Sequence, residues 1–446
     1  MSPTLVRRLI LPLHERVRGR RTLALADELC RSESWPAERL AALQQAKLAR
    51  ILEVAATQTP FYRERLAAAG ISPRRVTLAD LPAIPLLTKA DIRVHLDGMI
   101  WRGVPGGLHR ATTGGSTGQP VAFCMDRARQ AADQAARIRS RRWFGIEPGE
   151  RELYLWGSPI ETGAADAFRS MRDRMINHRL ISAFRMTPAR MADYLREIRS
   201  FDPVHLFGYP SSLATLARFA LSQSARPPTP ALKAVFTTGE TLDSADRALL
   251  AAYFRVPVAD GYGAREAGFI AHECPHGRMH IAAECVLVEL LDDAGRAVPV
   301  GESGEVVVTN LDNLGMPLIR YRTGDTAWLD ARPCPCGRTL PVLGGIEGRQ
   351  TDRLVRADGG SAHALSAIYV LRDEAGVTRF HVRQRSDLSL DVRIVPAPGW
   401  NDDTSNRVSD RLSRQLGGVP VRLSLVQSIE PSGSGKFRCV ESEAIT

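Results

Sequence analysis

The chain has 446 residues, of which 44% are hydrophobic and 24% are charged, and these values are ordinary for a globular protein. No run approaches the roughly 18 apolar residues of a membrane-spanning helix, so we expect no membrane span. The formal net charge is +10, but the basic residues are scattered rather than gathered into one stripe with interleaved aromatic residues. This distribution argues against a nucleic-acid partner.

Two compositional features give further expectations. Only four of the 59 basic residues are lysines, so each lysine is a candidate for a specific role. The basic N-terminus contains the apolar stretch LILPL, which is shorter than the core of a signal peptide and has no small-residue cleavage site after it. We therefore expect a cytoplasmic protein, and its length predicts one large domain or two unequal ones.

The first predicted elements are helices. Residues 21–70 carry apolar residues at helical spacing, and the stretch LARILEVAATQ stops at Thr59 and Pro60. Beyond Gly70 the chain is rich in proline, and Thr88 is suited to cap a short helix there. Helical patterns then alternate with short apolar runs, which is typical of α/β layers. These runs lie at residues 153–156, 204–210, 234–240 and 256–263.

The second half of the chain differs in character. Strand-like runs joined by glycine and asparagine turns predict a β-rich subdomain at about 270–345. The polar stretch 347–361 predicts a hinge, after which strand and helix patterns alternate. We therefore predict an α/β fold with a large multi-layer N-terminal domain over residues 1–346 and a small mobile α+β cap domain over 362–446.

The segment ATTGGSTGQP, residues 111–120, is poorly suited to a helix or to packing. Adjacent glycines with serine and threonine can instead form a loop whose backbone N–H groups point inward and bind phosphate oxygens. The segment lacks the lysine of a Walker motif, and a plain surface turn explains it as well when it is taken alone. Three further segments could likewise be plain turns: GYGAREAG at 261–268, YRTGD at 321–325 and PSGSGKFR at 431–438.

In this order and at this spacing, the four segments together resemble the signature of the adenylate-forming superfamily, which includes acyl-CoA synthetases. The resemblance narrows to the phenylacetate-CoA ligase family and to its CapK-type branch. It extends over QTPFYRERLAAAGI, DLPAIPLLTKADI and DGGSAHALS, and so covers nearly the whole chain. It implies that the protein uses ATP and Mg²⁺ to activate a carboxylic acid as an acyl-adenylate and then transfers the acyl group to coenzyme A.

The same resemblance implies an ATP site built from several segments. The residues of the phosphate-binding loop would be Thr112, Thr113, Gly114, Gly115, Ser116, Thr117 and Gly118. Gln119 stands where relatives usually have lysine or threonine, which leaves fewer positive contacts to the departing pyrophosphate. Tyr262 would stack on the adenine, unless it is an ordinary core tyrosine. The same pocket would be lined by Gly239, Glu240 and Gly263.

Four further residues would act at the phosphates and the ribose. Glu266 is matched to the magnesium-binding glutamate, and a hard carboxylate oxygen suits that ion. Arg265 replaces the usual threonine or serine and would either contact the α-phosphate in bidentate fashion or pair with a neighbouring carboxylate. Asp325 would accept hydrogen bonds from the ribose hydroxyls with Arg349 as its partner, although the two could also form a surface ion pair.

Lys436 in PSGSGKFR is the most informative single residue. Joining a carboxylate to the α-phosphate requires two anions to approach each other, and a mobile ammonium that touches both stabilises the charge. The alternative is a tolerated surface lysine. The resemblance further implies that the small domain rotates about a hinge near Thr351 and Asp352 and so withdraws Lys436.

The acid-binding pocket is predicted from three aromatic residues, Trp156, Phe207 and Tyr209. They would suit a flat aromatic acid, but aromatic residues also build ordinary cores. The identity of the acid therefore stays open at this point, as does the formation of a homodimer.

Four of the seven cysteines lie between residues 274 and 336, which favours a metal site over a disulfide framework. HECPHGRMH offers one cysteine and three histidines, and RPCPCG offers two further cysteines. We predict a structural zinc site, because four protein ligands leave no open position for chemistry. The predicted ligands are Cys274, His280, Cys334 and Cys336. The alternative is free thiols in the β-rich subdomain.

Two other functions remain open from the sequence. The protein could be an adenylyltransferase that stops at the AMP adduct and needs no thiol, as in the deazaflavin-coenzyme adenylating relatives. It could also be a catalytically idle nucleotide-binding scaffold that kept the fold. The presence of Glu266, Asp325, Arg349 and Lys436 argues against the idle scaffold, since such a protein would have no reason to keep all four.

Overall fold

A large mixed β-sheet is the main feature of the fold in the computed structural model. The chain divides into two units: Met1–Thr323 with Ala327–Gly345, and Gly324–Thr326 with Ile346–Thr446. The structure describes residues 1–113, 121–156, 171–183, 188–225, 230–349, 353–357, 361–363, 367, 370–371, 374, 376–430 and 439–444.

The strands of the described residues form four sheets. β1 (Leu108–Thr112) and β2 (Ala122–Asp126) pair antiparallel. The strands of the large sheet are β3 (Glu152–Trp156), β4 (His178–Ser182), β5 (His205–Gly208), β6 (Ala234–Thr238), β7 (Val258–Ala264), β8 (Gly268–Glu273), β9 (Met279–Ile281), β10 (Val286–Leu291), β11 (Gly304–Asn310), β12 (Tyr321–Leu329) and β13 (Val342–Arg349). The remaining strands are β14 (Arg353–Val355), β15 (Ser361–His363), β16 (Val377–Gln384), β17 (Leu390–Pro396), β18 (Val421–Leu425) and β19 (Val440–Ser442).

The large sheet changes from parallel to antiparallel pairing at β7. Its strand order is β10-β11-β12-β13-β9-β8-β7-β6-β5-β3-β4. Neighbours from β4 to β7 run parallel, whereas β7, β8 and β9 run antiparallel. The four predicted apolar runs coincide with β3, β5, β6 and β7, which confirms the α/β layers. The predicted β-rich region belongs to this same sheet rather than to a separate one, since β9 pairs with both β8 and β13.

Helices cover the N-terminal region and the connections between parallel strands. Their bounds are α1 (Pro3–Leu5), continued by a π-helical turn (Val6–Ile10), α2 (Leu11–Arg18), α3 (Thr22–Ser32), α4 (Ala37–Gln58), α5 (Pro60–Ala68), α6 (Lys89–His95), α7 (Arg127–Arg142), α8 (Pro188–Phe201), α9 (Pro210–Ser222), α10 (Ser244–Phe254) and α11 (Asp402–Gln415), with 3₁₀ turns at Leu78–Ala83 and Leu96–Met99. The Thr59 hydroxyl donates to the Ala55 carbonyl at 2.6 Å, and Pro60 begins α5. Thr88 caps α6 as predicted, because its hydroxyl accepts from the Asp91 N–H at 3.1 Å.

Apolar packing holds the helices against the sheet. Side chains of α8, α9 and α10 form one core with inward-facing residues of the parallel strands, including Leu153, Leu155 and Leu206. Each such leucine contributes about 1.5–3 kcal/mol when fully buried. Helices α3 and α7 pack through small residues such as Ala26 and Ala132. Within the described ranges, no helix combines the length and the apolar character that a membrane crossing requires.

The smaller unit has a sheet and a core of its own. Its strand order is β18-β17-β16-β19, and α11 packs on it through residues such as Val408 and Leu412. The side chain of Asn401 caps α11 by accepting from the Thr404 N–H at 2.9 Å. Part of the polar stretch 347–361 is strand, because β13 runs on to its third residue and β14 pairs with β15. The proposed hinge residues 351 and 352 lie outside the described residues, and their role stays a prediction.

Candidate active site

The segment GYGAREAG forms the end of β7, a tight turn and the start of β8. It therefore lies at the carboxyl ends of the parallel strands, where open α/β sheets bind ligands. At Gly263 a Cβ atom would lie 2.4 Å from the carbonyl oxygen of Gly268, an approach that only glycine tolerates. The glycines thus allow the two strands to close around Arg265 and Glu266.

The carboxylate of Glu266 is buried beside the hydroxyl of Tyr321. Glu266 is 5% exposed, and its Oε1 accepts a hydrogen bond from the Tyr321 hydroxyl at 2.7 Å. Tyr321 is itself fully buried at the start of β12. A carboxylate whose oxygen is held in place in this way fits a magnesium ion. The metal-binding role of Glu266 stays a prediction.

The guanidinium of Arg265 links this turn to the glycine-rich segment. Its Nη1 donates to the carbonyl oxygen of Thr112 at 2.8 Å, and the contact of Arg265 with the α-phosphate stays a prediction. Thr113 closes the β1–β2 hairpin, because its hydroxyl accepts from the Val121 N–H at 2.9 Å and its own N–H donates to the Val121 carbonyl at 2.9 Å. The rest of the predicted loop lies outside the described residues: Gly114, Gly115, Ser116, Thr117 and Gly118.

The residues predicted to line the adenine follow neighbouring strands. Thr238 pairs with Gly261 across β6 and β7, and its hydroxyl donates to the Gly261 carbonyl at 2.6 Å. Gly239 and Glu240 come directly after this pair on β6, and Tyr262 comes directly after it on β7. Gly239 has φ of +83°, a conformation that favours glycine. The structure brings these segments together, and their contact with adenine stays a prediction.

A buried carboxyl anchors β7 two residues before Tyr262. Burial raises the pKa of Asp260 to about 7, although the hydrogen bond from the Thr237 hydroxyl at 2.6 Å opposes the shift. The Asp260 N–H donates to Oε2 of Glu273 at 2.7 Å, and Arg247 binds the same carboxylate. These contacts bind β7 to its neighbours β6 and β8. The sequence pattern gave no indication of this role for Asp260.

The three predicted pocket residues form one aromatic stack. The ring centroids of Trp156 and Tyr209 lie 4.2 Å apart at 21°, and those of Trp156 and Phe207 lie 5.3 Å apart at 26°. Burial and the nearby Glu240 raise the pKa of the Tyr209 phenol to about 12, so this hydroxyl stays protonated at neutral pH. The stack lies at the carboxyl ends of β3 and β5, beside Gly239. The rings contact one another as core aromatics do, so they do not by themselves indicate an aromatic acid.

Gly239→Ala is expected to lower the adenylation activity that the family resemblance implies by about tenfold, equivalent to about 1.4 kcal/mol in the barrier. The added Cβ would lie 3.2 Å from the Tyr209 ring and would strain the backbone at φ of +83°. The matched control is Gly70→Ala, since Gly70 also has positive φ but no atom within 4 Å of the added Cβ. Similar steady-state activities of the two variants would contradict the importance of the ring contact.

The four side chains predicted to bind zinc converge in the structure. Their ligand atoms all lie within 4.8 Å of one another. Sγ of Cys274 lies 3.6 Å from Sγ of Cys334, and Sγ of Cys336 lies 3.3 Å from Nε2 of His280. All seven cysteines are free thiols, so no disulfide explains the cluster. Three sulfur donors and one imidazole nitrogen fit a tetrahedral zinc ion.

A tight turn and a hydrogen bond orient these donors. The N–H of Cys274 donates to the Arg278 carbonyl at 2.9 Å, which turns the chain back into β9 and so toward His280. Nδ1 of His280 lies 3.1 Å from the Leu340 carbonyl. Because a carbonyl can only accept, Nδ1 carries the proton and Nε2 is left to bind a metal beside Cys336.

The turn predicted for Asp325 is wrong, because this residue lies within β12. Gly324 has φ of +79°, so the strand passes through a left-handed residue where the glycine in YRTGD suggested that it would end. Asp325 is 8% exposed. Arg349 is the last residue of β13, but its side chain lies outside the described part of the structure, as does all of Lys436.

Several side chains that hold the turn around Glu266 carry no recognisable signal in the sequence. The hydroxyl of Tyr321 is one, and a strand tyrosine gives no local sign of its partner. Arg129 and Asp133 are another pair, and they lie four residues apart on α7. That spacing is typical of exposed helical ion pairs, so it gave no signal of a buried role.

Comparisons with known proteins identify the family and the fold. The model of the family described as AMP-binding enzyme matches residues 112–313. The phenylacetate-coenzyme A ligase of Thermus thermophilus is 30% identical over 339 residues, which cover 72% of this chain and 73% of that protein. Protein CapK of Staphylococcus aureus is 26% identical over 60% of this chain and 59% of its own. Among solved structures, 2-hydroxyisobutyryl-CoA ligase in the postadenylation state superposes with a TM-score of 0.74 at 23% identity, covering 93% of this chain and 91% of that chain, and so shares the fold. The chain belongs to the phenylacetate-coenzyme A ligase family.

Proposed function

We propose that the protein is an ATP-dependent ligase that activates a carboxylic acid as an acyl-adenylate and then transfers the acyl group to coenzyme A. Family membership supports this function, because related chains are phenylacetate-coenzyme A ligases. A protein of the same fold was solved with an acyl-AMP, and also with an acyl-AMP and CoA. The observation that carries the proposal is the bond from Arg265 to Thr112, since it joins the glycine-rich hairpin to the turn of the buried Glu266.

In the first half-reaction, an oxygen of the substrate carboxylate bonds to the α-phosphorus of ATP and the bond to pyrophosphate breaks. When bound, magnesium neutralises negative charge on the phosphates. Glu266 is the residue that would hold this ion. Arg265 places a permanent positive charge beside Thr112, at the end of β1, where the phosphates would bind. Tyr321 keeps the carboxylate of Glu266 oriented through its hydroxyl. In the second half-reaction, the thiol of coenzyme A displaces AMP from the acyl carbon.

Pyrophosphate release with a panel of carboxylic acids, measured with and without coenzyme A, tests this proposal. The panel needs both aromatic and small aliphatic acids, because the aromatic stack does not select between them. We expect release with at least one acid and consumption of coenzyme A in step with it. Release without consumption would instead identify an adenylyltransferase that stops at the AMP adduct, and no release in the presence of Mg²⁺ would favour a nucleotide-binding scaffold.

Lys436→Ala is expected to slow adenylation about a hundredfold, while ATP still binds. The substitution removes the ammonium that would stabilise the negative charge of the carboxylate and the α-phosphate as they approach each other. Loss of one such contact costs about a hundredfold or more in rate. Pyrophosphate release and ATP binding by calorimetry measure the two effects. Lys233→Ala is the matched control, because the ammonium of Lys233 binds the carboxylate of Glu150 at the protein surface. Unchanged release in Lys436→Ala would remove the role proposed for this lysine.

We also propose that the cluster of three thiols and His280 binds one structural zinc ion. The convergence of the four donors and the orientation of the imidazole by Leu340 support this site. With all four positions filled by protein, the ion would stabilise the connection between β8, β9 and β13 rather than take part in the reaction.

A further inference from the structure

A fully buried arginine outside the predicted site binds the backbone of the turn that carries Glu266. Arg129 is 0% exposed and lies near the start of α7. Its Nη1 donates to the carbonyl oxygen of Glu266 at 3.0 Å, and its Nη2 donates to that of Arg265 at 3.2 Å. Its Nε donates to Asp133 at 2.8 Å. One guanidinium therefore holds two consecutive carbonyls of the turn.

Neighbouring side chains complete this support of the turn. Oδ1 of Asp133 accepts from the Phe269 N–H at 3.1 Å, and the amide of Asn310 donates to the carbonyl of Ala267 at 2.9 Å. At Gly268 a Cβ atom would lie 2.8 Å from Nη2 of Arg129, so a glycine is needed for the arginine to reach the turn. The turn is thus fixed through its main chain from both sides.

Arginine is the residue that this geometry requires. Its planar guanidinium offers five N–H groups in a fixed fork that spans two carbonyls and a carboxylate, whereas a lysine offers one compact ammonium. A charge buried this deeply is costly unless it is paired, and the carboxylate of Asp133 supplies the pairing. Apolar side chains would fill this space without the cost of burying a charge. The position of the Arg129–Asp133 pair beside Glu266 therefore indicates a role at the site.

Arg129 is also anchored to the glycine-rich hairpin. Helix α7 follows β2 directly, and Oδ1 of Asp126, the last residue of β2, accepts from the Arg129 N–H at 2.8 Å. The other oxygen of Asp126 accepts from the Gly315 N–H at 2.9 Å. The hairpin and the turn of Glu266 are therefore both bonded to Arg129, the first through the main chain and the second through the guanidinium.

We propose that Arg129 is a positioning residue of the adenylation reaction. It fixes the main chain of Arg265 and Glu266 relative to the β1–β2 hairpin, and so sets where the metal-binding carboxylate stands with respect to the phosphates. This inference rests on the proposed function. It adds to that function a residue that touches neither ATP nor the acid and acts through the turn.

Arg129→Lys tests the inference, with Arg139→Lys as the matched control. Both arginines lie on α7, both are buried and both are ion-paired, but Arg139 binds Glu284 at 2.6 Å instead of the turn. We expect Arg129→Lys to lower pyrophosphate release per folded molecule ten- to hundredfold, as substitutions around metal ligands typically do, and to raise the Mg²⁺ concentration for half-maximal rate. Arg139→Lys should lower thermal stability by a similar amount without either effect.

Hydrogen exchange of the unliganded protein gives a readout that does not depend on activity. In Arg129→Lys, amides of residues 263–270 should exchange about tenfold faster than in the wild type, and in Arg139→Lys they should not change. Equal losses of activity in the two variants, or unchanged exchange of this segment in Arg129→Lys, would overturn the proposal. If Arg129→Lys does not fold, Asp133→Asn keeps the arginine, removes its charged partner and should shift exchange in the same direction. Inactivity of the wild type with every acid would overturn the proposed function and with it the role of Arg129 in adenylation, whereas faster exchange in Arg129→Lys would still show that Arg129 holds the turn.

Discussion

Glu266→Gln is expected to lower the rate of pyrophosphate release about a thousandfold, at the upper end of what loss of one electrostatic contact costs. Glutamine has the shape of glutamate, and its amide oxygen can still accept the hydrogen bond from Tyr321. It carries no charge, however, and is a weaker ligand for Mg²⁺. The fold should therefore survive while the reaction fails. Release at saturating ATP, acid and Mg²⁺, together with thermal unfolding, separates the two effects.

Two further variants calibrate this result. Glu150→Gln removes a surface carboxylate that binds Lys233, and it should leave the rate unchanged. Tyr321→Phe keeps the charge of Glu266 but removes the hydroxyl that orients it, so we expect an intermediate loss of about tenfold, within the range for supporting contacts of metal ligands. A Glu266→Gln enzyme with a near-normal rate would show that the magnesium ligand lies elsewhere.

Cys336→Ser is expected to abolish zinc binding and to lower the free energy of unfolding by more than about 4 kcal/mol. Serine does not provide the thiolate that the ion requires, and the three remaining donors would face one another without a cation between them. The affected segments join β8, β9 and β13, so their loosening should weaken the large sheet. Metal analysis by mass spectrometry and urea unfolding measure the two effects.

The control for this substitution is Cys30→Ser. Cys30 is a half-buried free thiol on α3 whose sulfur lies 3.6 Å from Nη1 of Arg142, and it is far in sequence from the cluster. It should retain one zinc per chain and lose no more than about 1 kcal/mol of stability. A chelator should lower the stability of the wild type to that of Cys336→Ser and leave that variant unchanged. Wild-type protein that is purified without zinc and resists the chelator would refute the site.

The α/β layers and the grouping of three cysteines with His280 could be predicted from the sequence because their signals are local. Four of the parallel strands, β3, β5, β6 and β7, are short apolar runs, and α6 is capped by a threonine with an aspartate three residues later. Cys334 and Cys336 lie two residues apart before a glycine, so one turn presents both sulfur atoms. This turn precedes β13, whereas Cys274 precedes β9 and His280 lies in β9. The four residues come together because β9 and β13 are neighbours in the sheet.

The support of Glu266 could not be predicted, because it depends on contacts between segments far apart in sequence. Arg129 and Glu266 are separated by 137 positions, and nothing near Arg129 marks it as buried. The strand at Asp325 was missed because the segment YRTGD was interpreted as a turn, whereas β12 continues through Gly324. The three aromatic residues were assigned to one pocket from the sequence, and only the structure shows that they stack on one another.

The direct passage from β7 into β8 has an electrostatic consequence. Strands of a parallel sheet usually lead into a helix, whose first N–H groups present a partial positive charge to an anion. β7 turns back into another strand instead, so the positive charge at the end of this one strand is that of the exposed side chain of Arg265. A solvated side chain is screened by dissolved ions far more than a buried dipole is. The attraction of an anion to the end of β7 should therefore weaken as the ionic strength rises.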